Sequence, residues 1–279
     1  MFMDQTIAFI GSGVMGEAMI RGLITQNIVQ PGQIIASDPH LGRLQDLQTR
    51  HGIHTTHDNR HAAEEGHIIV LSIKPQDLDH VMPEIRGHLR RQDLLLSIIA
   101  GVPIRKLADG TAHAAVVRAM PNTPAQIGQG ITVWTATPEV SQGQKKQAQL
   151  ILGSLGEEIC MDDERYLDMA TALSGSGPGY VFMMMEAMID AGVHLGFSRQ
   201  VATQLVIKTL KGSVAYAEQS NKHVAELRNQ VTSPGGTTAE ALYHMEKGGL
   251  RTVISRGIWA AYQRSVALGQ GKGRENLDL

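Results

Sequence analysis

The stretch Ile7-Ala8-Phe9-Ile10-Gly11-Ser12-Gly13-Val14-Met15-Gly16 decides the fold of this chain. Its apolar start predicts a buried strand, the glycines follow directly, and the apolar positions between Ala18 and Leu23 predict a helix after them. When a dinucleotide binds such a turn, the first glycine makes the turn, the second admits the pyrophosphate and the third packs the helix on the strand. The pyrophosphate then lies on the amides at the positive N-terminus of the helix.

Glycine-rich turns are also common in proteins that bind no dinucleotide, so the motif indicates a dinucleotide site only in the right structural context. Here it opens a strand–helix pattern, and Asp38 ends the next predicted strand, where an acidic residue binds a ribose diol. We therefore predict a dinucleotide site. Asp38 favours NAD because a carboxylate repels the 2'-phosphate of NADP, whereas Arg43 either approaches that phosphate or is an exposed helical residue. The sequence leaves the cofactor as NADPH or NADH.

The first half of the chain alternates short β-rich runs with amphipathic helical stretches, which predicts a parallel sheet with right-handed crossovers. Strands are predicted at residues 6–10, 33–37, 67–73, 93–99, 115–118, 131–135 and 157–161, and a helix at residues 141–152. From about Tyr166 onward, long helical patterns replace the β-branched runs. We therefore predict an α/β fold, with an N-terminal Rossmann-type dinucleotide-binding domain over residues 1–163 and a C-terminal all-α domain over residues 164–279.

Composition excludes several classes of partner. A net charge of -2 offers no basic surface to a polyanion, so no nucleic acid is expected. No apolar run is long enough to cross a bilayer, so no membrane is expected either. Because the start of the sequence resembles no secretory signal and Cys160 is the only cysteine, we expect a cytoplasmic protein without disulfides.

Three histidines, His54, His57 and His61, invite a metal interpretation. They cross a predicted strand, a loop and a helix start, so their spacing does not bring them to one ion, and no zinc motif is present. We expect no metal.

Five further segments make the prediction more specific. They are Ser72-Ile73-Lys74-Pro75-Gln76, Ser97-Ile98-Ile99-Ala100-Gly101-Val102, Arg118-Ala119-Met120-Pro121-Asn122-Thr123-Pro124, Ala172-Leu173-Ser174-Gly175-Ser176-Gly177-Pro178-Gly179-Tyr180 and Val231-Thr232-Ser233-Pro234-Gly235-Gly236-Thr237-Thr238. Together they resemble the pyrroline-5-carboxylate reductase family along the whole chain, and the last segment is highly specific to it. The resemblance implies NADPH- or NADH-dependent reduction of 1-pyrroline-5-carboxylate to L-proline, the last step of proline biosynthesis.

The resemblance also implies the cofactor-binding residues. They are Ile10, Gly11, Ser12, Gly13, Val14, Met15 and Gly16 at the pyrophosphate, Asp38 and Asn59 at the adenosine end, and Ser72, Ile73, Lys74, Pro75, Ile98, Ile99 and Ala100 along the path to the nicotinamide. For Lys74 and Pro75 the plain alternative is a strand end followed by a helix start.

The Ser233–Thr238 segment precedes a predicted helix at residues 239–245, so its amides should point outward, unpaired, and suit a small carboxylate. Simple N-capping by Ser or Thr is the alternative. We expect substrate binding by Ser233, Gly236, Thr237 and Thr238.

By resemblance, Thr238 is the catalytic residue that hydrogen-bonds or protonates the imine nitrogen. A neutral hydroxyl is a poor acid, so two versions stay open: Thr238 relays a proton from solvent, or it orients an iminium that arrives protonated. The resemblance also places Glu164 close to the substrate, where its carboxylate offsets the iminium charge. Its neighbours Asp162 and Asp163 equally fit a solvated acidic turn.

The helical half is richer in apolar surface than a domain of its size can bury. Met183, Met184, Met185 and Met188 are packing material for a core or a dimer interface, and long apolar helices are predicted at residues 198–217 and 250–268. We predict a homodimer with intertwined helical domains, which leaves larger assemblies open, and an active site between one subunit's cofactor domain and its partner's helices. Gly179 stands where the family usually has Ala, which should loosen the start of its helix.

Two rival functions share the fold. A β-hydroxyacid dehydrogenase would need a catalytic lysine on the helix after its glycine motif, and Tyr180-Val181-Phe182-Met183-Met184-Met185-Glu186 contains none. A dinucleotide-binding regulator would have lost the substrate loop, which is intact here.

Overall fold

The computed structural model describes residues 2–271. The strands are β1 (Ile7–Ile10), β2 (Ile34–Ser37), β3 (His54–Thr56), β4 (Ile68–Leu71), β5 (Leu94–Ser97), β6 (Val116–Met120), β7 (Gly130–Ala136) and β8 (Gly156–Cys160). The helices are α1 (Val14–Thr25), α2 (Leu41–His51), α3 (Asn59–Glu65), α4 (Leu78–Ile85), α5 (Ile104–Thr111), α6 (Gln142–Gly153), α7 (Arg165–Ala170), α8 (Gly177–His194), α9 (Arg199–Gln219), α10 (Val224–Gln230), α11 (Thr237–Lys247) and α12 (Leu250–Gly269).

The strands form one sheet in the order β3-β2-β1-β4-β5-β6-β7-β8. The pairs among β1 to β6 are all parallel, and their order is that of the doubly wound dinucleotide-binding fold. Along β1, Ile7 and Phe9 belong to the core on one face, whereas Ala8 and Ile10 belong to the core on the other. Burial on both faces explains why the central strands are continuous apolar runs. The predicted α/β fold with a parallel sheet is confirmed.

The strand β7 departs from this pattern because it runs antiparallel to β6. Only a short segment containing the 3-10 turn Thr123–Ile127 joins the two strands. A parallel return needs a crossover of about a dozen residues or more, so this connection forces the chain to turn back. The final strand, β8, then pairs parallel with β7 after the crossover through α6.

The register of the sheet places four strand ends in one row. Ile10 pairs with Ser37 on one side and with Leu71 on the other, and Leu71 pairs with Ser97. The residues that follow these strands therefore emerge side by side at the carboxyl edge of the sheet. The strand order reverses between β1 and β4, which is where such sheets bind their ligands.

By packing, the chain divides into two compact units, Met1–Gly177 with Ala260–Leu279, and Pro178–Trp259. We call these the sheet unit and the helical unit. The division assigns α7 and the second half of α12 to the sheet unit, although both lie after residue 163. The predicted boundary between a dinucleotide-binding domain over residues 1–163 and an all-α domain over residues 164–279 stays a prediction.

The helical unit contains most of α8, then α9, α10, α11 and the first half of α12. The long helices predicted at residues 198–217 and 250–268 correspond to α9 and α12. Among the described residues, α8 contains no buried side chain, and only Ala202 and Val206 are buried in α9. In residues 2–271, no helix is both long and apolar enough to cross a membrane.

Replacing Gly179 by Ala should stabilise the protein by about 0.5 kcal/mol, because Ala favours a helix and a Cβ on Gly179 meets no described atom within 4 Å. Urea unfolding measures the change. Gly156→Ala is the control of opposite sign, since Gly156 has a φ of +135° and its Cβ would lie 2.2 Å from the Gly130 carbonyl oxygen. A loss of stability in Gly179→Ala would contradict the prediction.

Candidate active site

Each glycine of the first turn has a distinct geometric role. Gly11 has a φ of +83°, and a Cβ there would lie 2.5 Å from Cγ2 of Ile73. A Cβ on Gly16 would lie 2.9 Å from both the Gly11 carbonyl oxygen and Oγ of Ser72. A Cβ on Gly13, by contrast, would meet no described atom within 4 Å. Gly11 and Gly16 are therefore required by packing, whereas Gly13 keeps one face of the backbone open.

The open backbone at Gly13 is also the start of α1. Gly13 is the N-cap residue, and no side chain caps the helix. The first amides of α1 thus have no partner within the helix, and the helix dipole adds a positive potential there. Because this open, uncapped turn lies at the end of β1, where the strand order reverses, it fits a dinucleotide pyrophosphate.

Asp38 follows β2 and touches the glycine turn directly. Its Oδ2 accepts a hydrogen bond of 3.1 Å from the Ser12 amide, and its Oδ1 accepts one of 3.0 Å from the His40 amide. A carboxylate accepts about four hydrogen bonds, so these contacts leave capacity for a ribose hydroxyl. Asn59, the first residue of α3, contacts the last residue of β2, because its Oδ1 accepts a 2.7 Å bond from Ser37 Oγ.

Arg43, on α2, is not the exposed helical residue that the sequence offered as one alternative. Its side chain is 25% exposed, and its Nε donates a 2.8 Å hydrogen bond to the Ser12 carbonyl oxygen. Its Nη2 donates a 2.6 Å bond to Oε2 of Glu17, on α1. The same Glu17 carboxylate pairs with Arg50 and, at 3.2 Å, with Nε2 of His51.

This cluster changes the acidity of Glu17. Burial alone would raise its pKa, but hydrogen bonds from Arg43 and His51 and the charge of Arg43 outweigh burial and lower the pKa from 4.5 to about 2. Glu17 is thus fully ionised at neutral pH and stabilises the arginine that contacts the glycine turn.

The residues assigned to the nicotinamide path follow β4 and β5, next to the glycine turn in the row of strand ends. Ser72 Oγ donates to the Gly11 carbonyl oxygen, and the Ile98 amide donates a 3.1 Å bond to the Leu71 carbonyl oxygen. Lys74 is exposed and directly precedes a 3-10 turn, Pro75–Asp77. Ile99 is buried, whereas Ile73, Ile98 and Ala100 are partly exposed. The local conformation at Lys74 and Pro75 is a strand end and a helical start, which leaves both interpretations of that pair open.

In the helical unit, residues Ser233 to Gly236 form a tight turn. The Gly236 amide donates a 3.0 Å bond to the Ser233 carbonyl oxygen, and Gly235 has a φ of +69°. A left-handed Gly at the third position is required by a type II turn, and Pro is common at its second position. A Cβ on Gly236 would lie 2.4 Å from Ser233 Oγ, so a larger residue there would require the Ser233 side chain to move.

This turn directly precedes α11, which begins at Thr237, two residues before the predicted start. Gly236 is the N-cap residue, and no side chain caps the helix. N-capping by Ser or Thr, the alternative interpretation of this segment, is therefore absent from α11. Thr237 is exposed and Thr238 is half-buried, and both lie in the first turn, where amides lack helical partners.

Glu164 is not a free carboxylate, although its side chain is 32% exposed. Its Oε1 accepts a 2.6 Å hydrogen bond from Nη1 of Arg118 and a 2.7 Å bond from the Ile104 amide at the start of α5. Asp163, one residue earlier, forms a separate ion pair with the exposed Arg165.

The sequence indicates Arg118 only as part of a motif, whereas the structure shows that it pairs with two carboxylates. Its side chain is 5% exposed, and its Nη2 also contacts Oδ1 of Asp168 at 3.4 Å. The same Oδ1 accepts a 2.8 Å bond from Ser265, on α12. An arginine in an otherwise apolar strand was the available signal, because a buried guanidinium needs acidic partners.

The segment after Arg118 has a similar structural explanation. Asn122 donates a 3.2 Å bond to the Ser174 carbonyl oxygen and accepts a 3.0 Å bond from the Ile131 amide. Ser174 lies in a π-helical turn, Thr171–Gly175. Two of the segments that define the resemblance therefore contact each other within the sheet unit.

Comparison with known proteins agrees with this geometry. A family model described as pyrroline-5-carboxylate reductase dimerisation matches residues 164–268, and one described as NADP oxidoreductase, coenzyme F420-dependent, matches residues 6–101. A pyrroline-5-carboxylate reductase from Synechocystis sp. is 37% identical over 96% of this chain and 100% of its own length. One from Pseudomonas aeruginosa is 39% identical over 96% of this chain and 98% of its own.

A solved structure gives the same result for the fold. Plasmodium falciparum pyrroline carboxylate reductase with NADP bound superposes with a TM-score of 0.87, at 32% identity, over 95% of this chain and 98% of that one.

Replacing Arg118 by Met should destabilise the protein by about 3 kcal/mol, because Glu164 and Asp168 lose the cation that pairs with them. We place the value at the low end for a buried pair since both carboxylates are partly exposed. Thermal and urea unfolding measure the loss. Arg105→Met, which removes an exposed pair with Asp109, is the control and should change stability by less than about 0.5 kcal/mol. Equal effects of the two substitutions would contradict the role of Arg118.

Replacing Glu17 by Gln should lower stability by about 2 kcal/mol at neutral pH. The folded-state pKa of Glu17 is depressed from 4.5 to about 2, so its contribution is present above pH 4.5 and is lost as the pH falls toward 2. The difference in unfolding free energy between the two proteins should therefore be constant at higher pH and shrink over that window. Urea unfolding across pH 7 to 2.5 measures it, and a difference that does not shrink would rule out the depressed pKa.

Proposed function

Because the chain belongs to the pyrroline-5-carboxylate reductase family, we propose that it reduces 1-pyrroline-5-carboxylate to L-proline with NADPH or NADH, the last step of proline biosynthesis. The observation that carries the proposal is the uncapped N-terminus of α11 behind the Ser233–Gly236 turn. A dinucleotide-binding fold does not need this feature, whereas it suits a substrate with a small carboxylate.

The cofactor fits the row of strand ends in the sheet unit. In the proposal the open backbone at Gly13 and the amides of Val14 and Met15 hold the pyrophosphate, and Asp38 with Asn59 holds the adenosine ribose. When bound, the nicotinamide supplies a hydride. The apolar side chains of Ile73 and Ile98 exclude water near that end of the site.

In the helical unit, the substrate carboxylate is proposed to bind the amides of Gly236, Thr237 and Thr238, with the Ser233 hydroxyl as a further donor. Glycine at positions 235 and 236 supports this role, because the turn brings the backbone close to the ligand without a Cβ in the way. The type II turn also directs the first amides of α11 without the aid of a side-chain cap.

Thr238 is the proposed catalytic residue at the imine nitrogen. Its hydroxyl is too weak an acid to protonate the nitrogen alone near neutral pH, so it relays a proton from solvent or orients an iminium that is already protonated. Thr238 is half-buried, which is compatible with both versions.

Glu164 stays in the proposed substrate set through Oε2, since Oε1 already accepts bonds from Arg118 and Ile104. Arg118 neutralises part of its charge. The carboxylate would therefore offset a substrate iminium less than an unpaired carboxylate would.

We also propose that the protein is a homodimer assembled through the helical unit. Large apolar side chains of α8, α9 and α12 are exposed in the single chain, among them Phe182, Met183, Leu205 and Val253. Large apolar side chains exposed in this number are typical of an interface. The assembly of dimers into a larger oligomer and the cytoplasmic location stay predictions.

Turnover by the purified protein tests the function. We expect rapid loss of reduced-nicotinamide absorbance with 1-pyrroline-5-carboxylate, slower loss with a six-membered imine acid, and none with a 3-oxo acid. Thr238→Ala should lower kcat about 100-fold, and Thr238→Ser should retain most of the activity. Thr49→Ala, which removes an exposed hydroxyl from α2, is the matched control.

Cofactor binding without turnover of any imine would overturn the reductase proposal in favour of a regulator. Turnover of the 3-oxo acid would favour a hydroxyacid dehydrogenase instead.

A further inference from the structure

Ser12 is fully buried, and both of its flanking peptide groups are held by charged side chains. Its amide donates to Asp38, and its carbonyl oxygen accepts a 2.8 Å bond from Nε of Arg43. Its hydroxyl donates a 3.2 Å bond to the Ser37 carbonyl oxygen. The backbone of the glycine turn is therefore fixed from the side of β2 and α2.

The orientation of one peptide group determines where the next amide points. In a trans peptide the carbonyl of one residue and the amide of the next lie on opposite sides of the bond. The Ser12 carbonyl faces Arg43, so the Gly13 amide faces the opposite side. The backbone at Gly13 is also unobstructed at its Cα, where a Cβ would meet no described atom within 4 Å.

We propose that Arg43 is a positioning residue for the dinucleotide, which turns the Gly13 amide toward the pyrophosphate by holding the Ser12 carbonyl. This inference rests on the proposed cofactor site. It also assigns Arg43 a role other than contact with a 2'-phosphate, because its guanidinium is bound to the turn and to Glu17.

Glu17 completes the arrangement by fixing the guanidinium from the other end. Nη2 of Arg43 donates to Oε2 of Glu17, while Nε donates to the Ser12 carbonyl oxygen. One planar group thus links α1, α2 and the turn between β1 and α1. A lysine has a single ammonium group on a flexible stem and cannot hold both acceptors in this fork geometry.

Equilibrium binding of NADPH and NADH to Arg43→Met and Arg43→Lys tests the proposal. We expect the Kd of both cofactors to rise about tenfold in Arg43→Met and less in Arg43→Lys, with the ratio between the cofactors unchanged. At saturating cofactor, kcat should stay within about twofold, because Arg43 touches neither the substrate loop nor the nicotinamide path. Arg50→Met is the matched control, since Arg50 also pairs with Glu17 but donates no hydrogen bond to the turn within residues 2–271. Its Kd values should equal those of the wild type.

Competition by cofactor fragments shows which part of the cofactor loses affinity in Arg43→Met. Competition by ADP-ribose, which contains the pyrophosphate, should weaken in Arg43→Met by the same factor as the whole cofactor, whereas competition by adenosine should not change. A rise in Kd confined to NADPH would overturn the proposal and make Arg43 a 2'-phosphate ligand. Unchanged Kd values for both cofactors, or an equal loss in Arg50→Met, would also overturn it. A wild type that binds both cofactors but reduces no imine would refute the proposed function and leave this inference standing.

Discussion

The contact between the first glycine turn and the end of β4 is the constraint on which the cofactor half depends. Gly16, Gly11 and Ser72 approach so closely that a single added methyl group at either glycine would displace the backbone. This closeness allows α1 to start directly over the end of β1, so its N-terminal amides open where the strand order reverses. Asp38 and Arg43 then hold the turn from the neighbouring elements, and their contacts require the same close packing.

The elements with the clearest local signal could be predicted from the sequence. The apolar runs Ile7–Ile10, Ile34–Ser37, Ile68–Leu71 and Leu94–Ser97 are buried strands because parallel sheets cover both faces. The glycine turn and Asp38 could also be predicted, since their spacing follows from the geometry of one βαβ unit. In the helical unit, the order Ser-Pro-Gly-Gly predicts a turn before a helix, and α11 extends two residues beyond the predicted range at each end.

The parts of the fold and of the candidate site that could not be predicted depend on contacts between residues far apart in sequence. The antiparallel direction of β7 follows from the length of its connection rather than from its own residues. The partners of Arg118 lie 46 and 50 positions away, so no local pattern indicates that Glu164 pairs with Arg118 while Asp163 pairs with Arg165. Arg43 was ambiguous for the same reason: a helical arginine has the same sequence signal whether it faces solvent or a neighbouring turn.

The return of α12 to the sheet unit has an evolutionary meaning. Ser265 bonds Asp168, and a Cβ on Gly101 would lie 3.1 Å from Cβ of Leu268, so the last helical turns belong to the packing of the first half of the chain. A recombination event that joined two relatives at residue 164 would therefore exchange part of the sheet unit along with the helices. A working chimaera would need α7 and the end of α12 from the same parent as β6, since Arg118, Asp168 and Ser265 form one set of contacts.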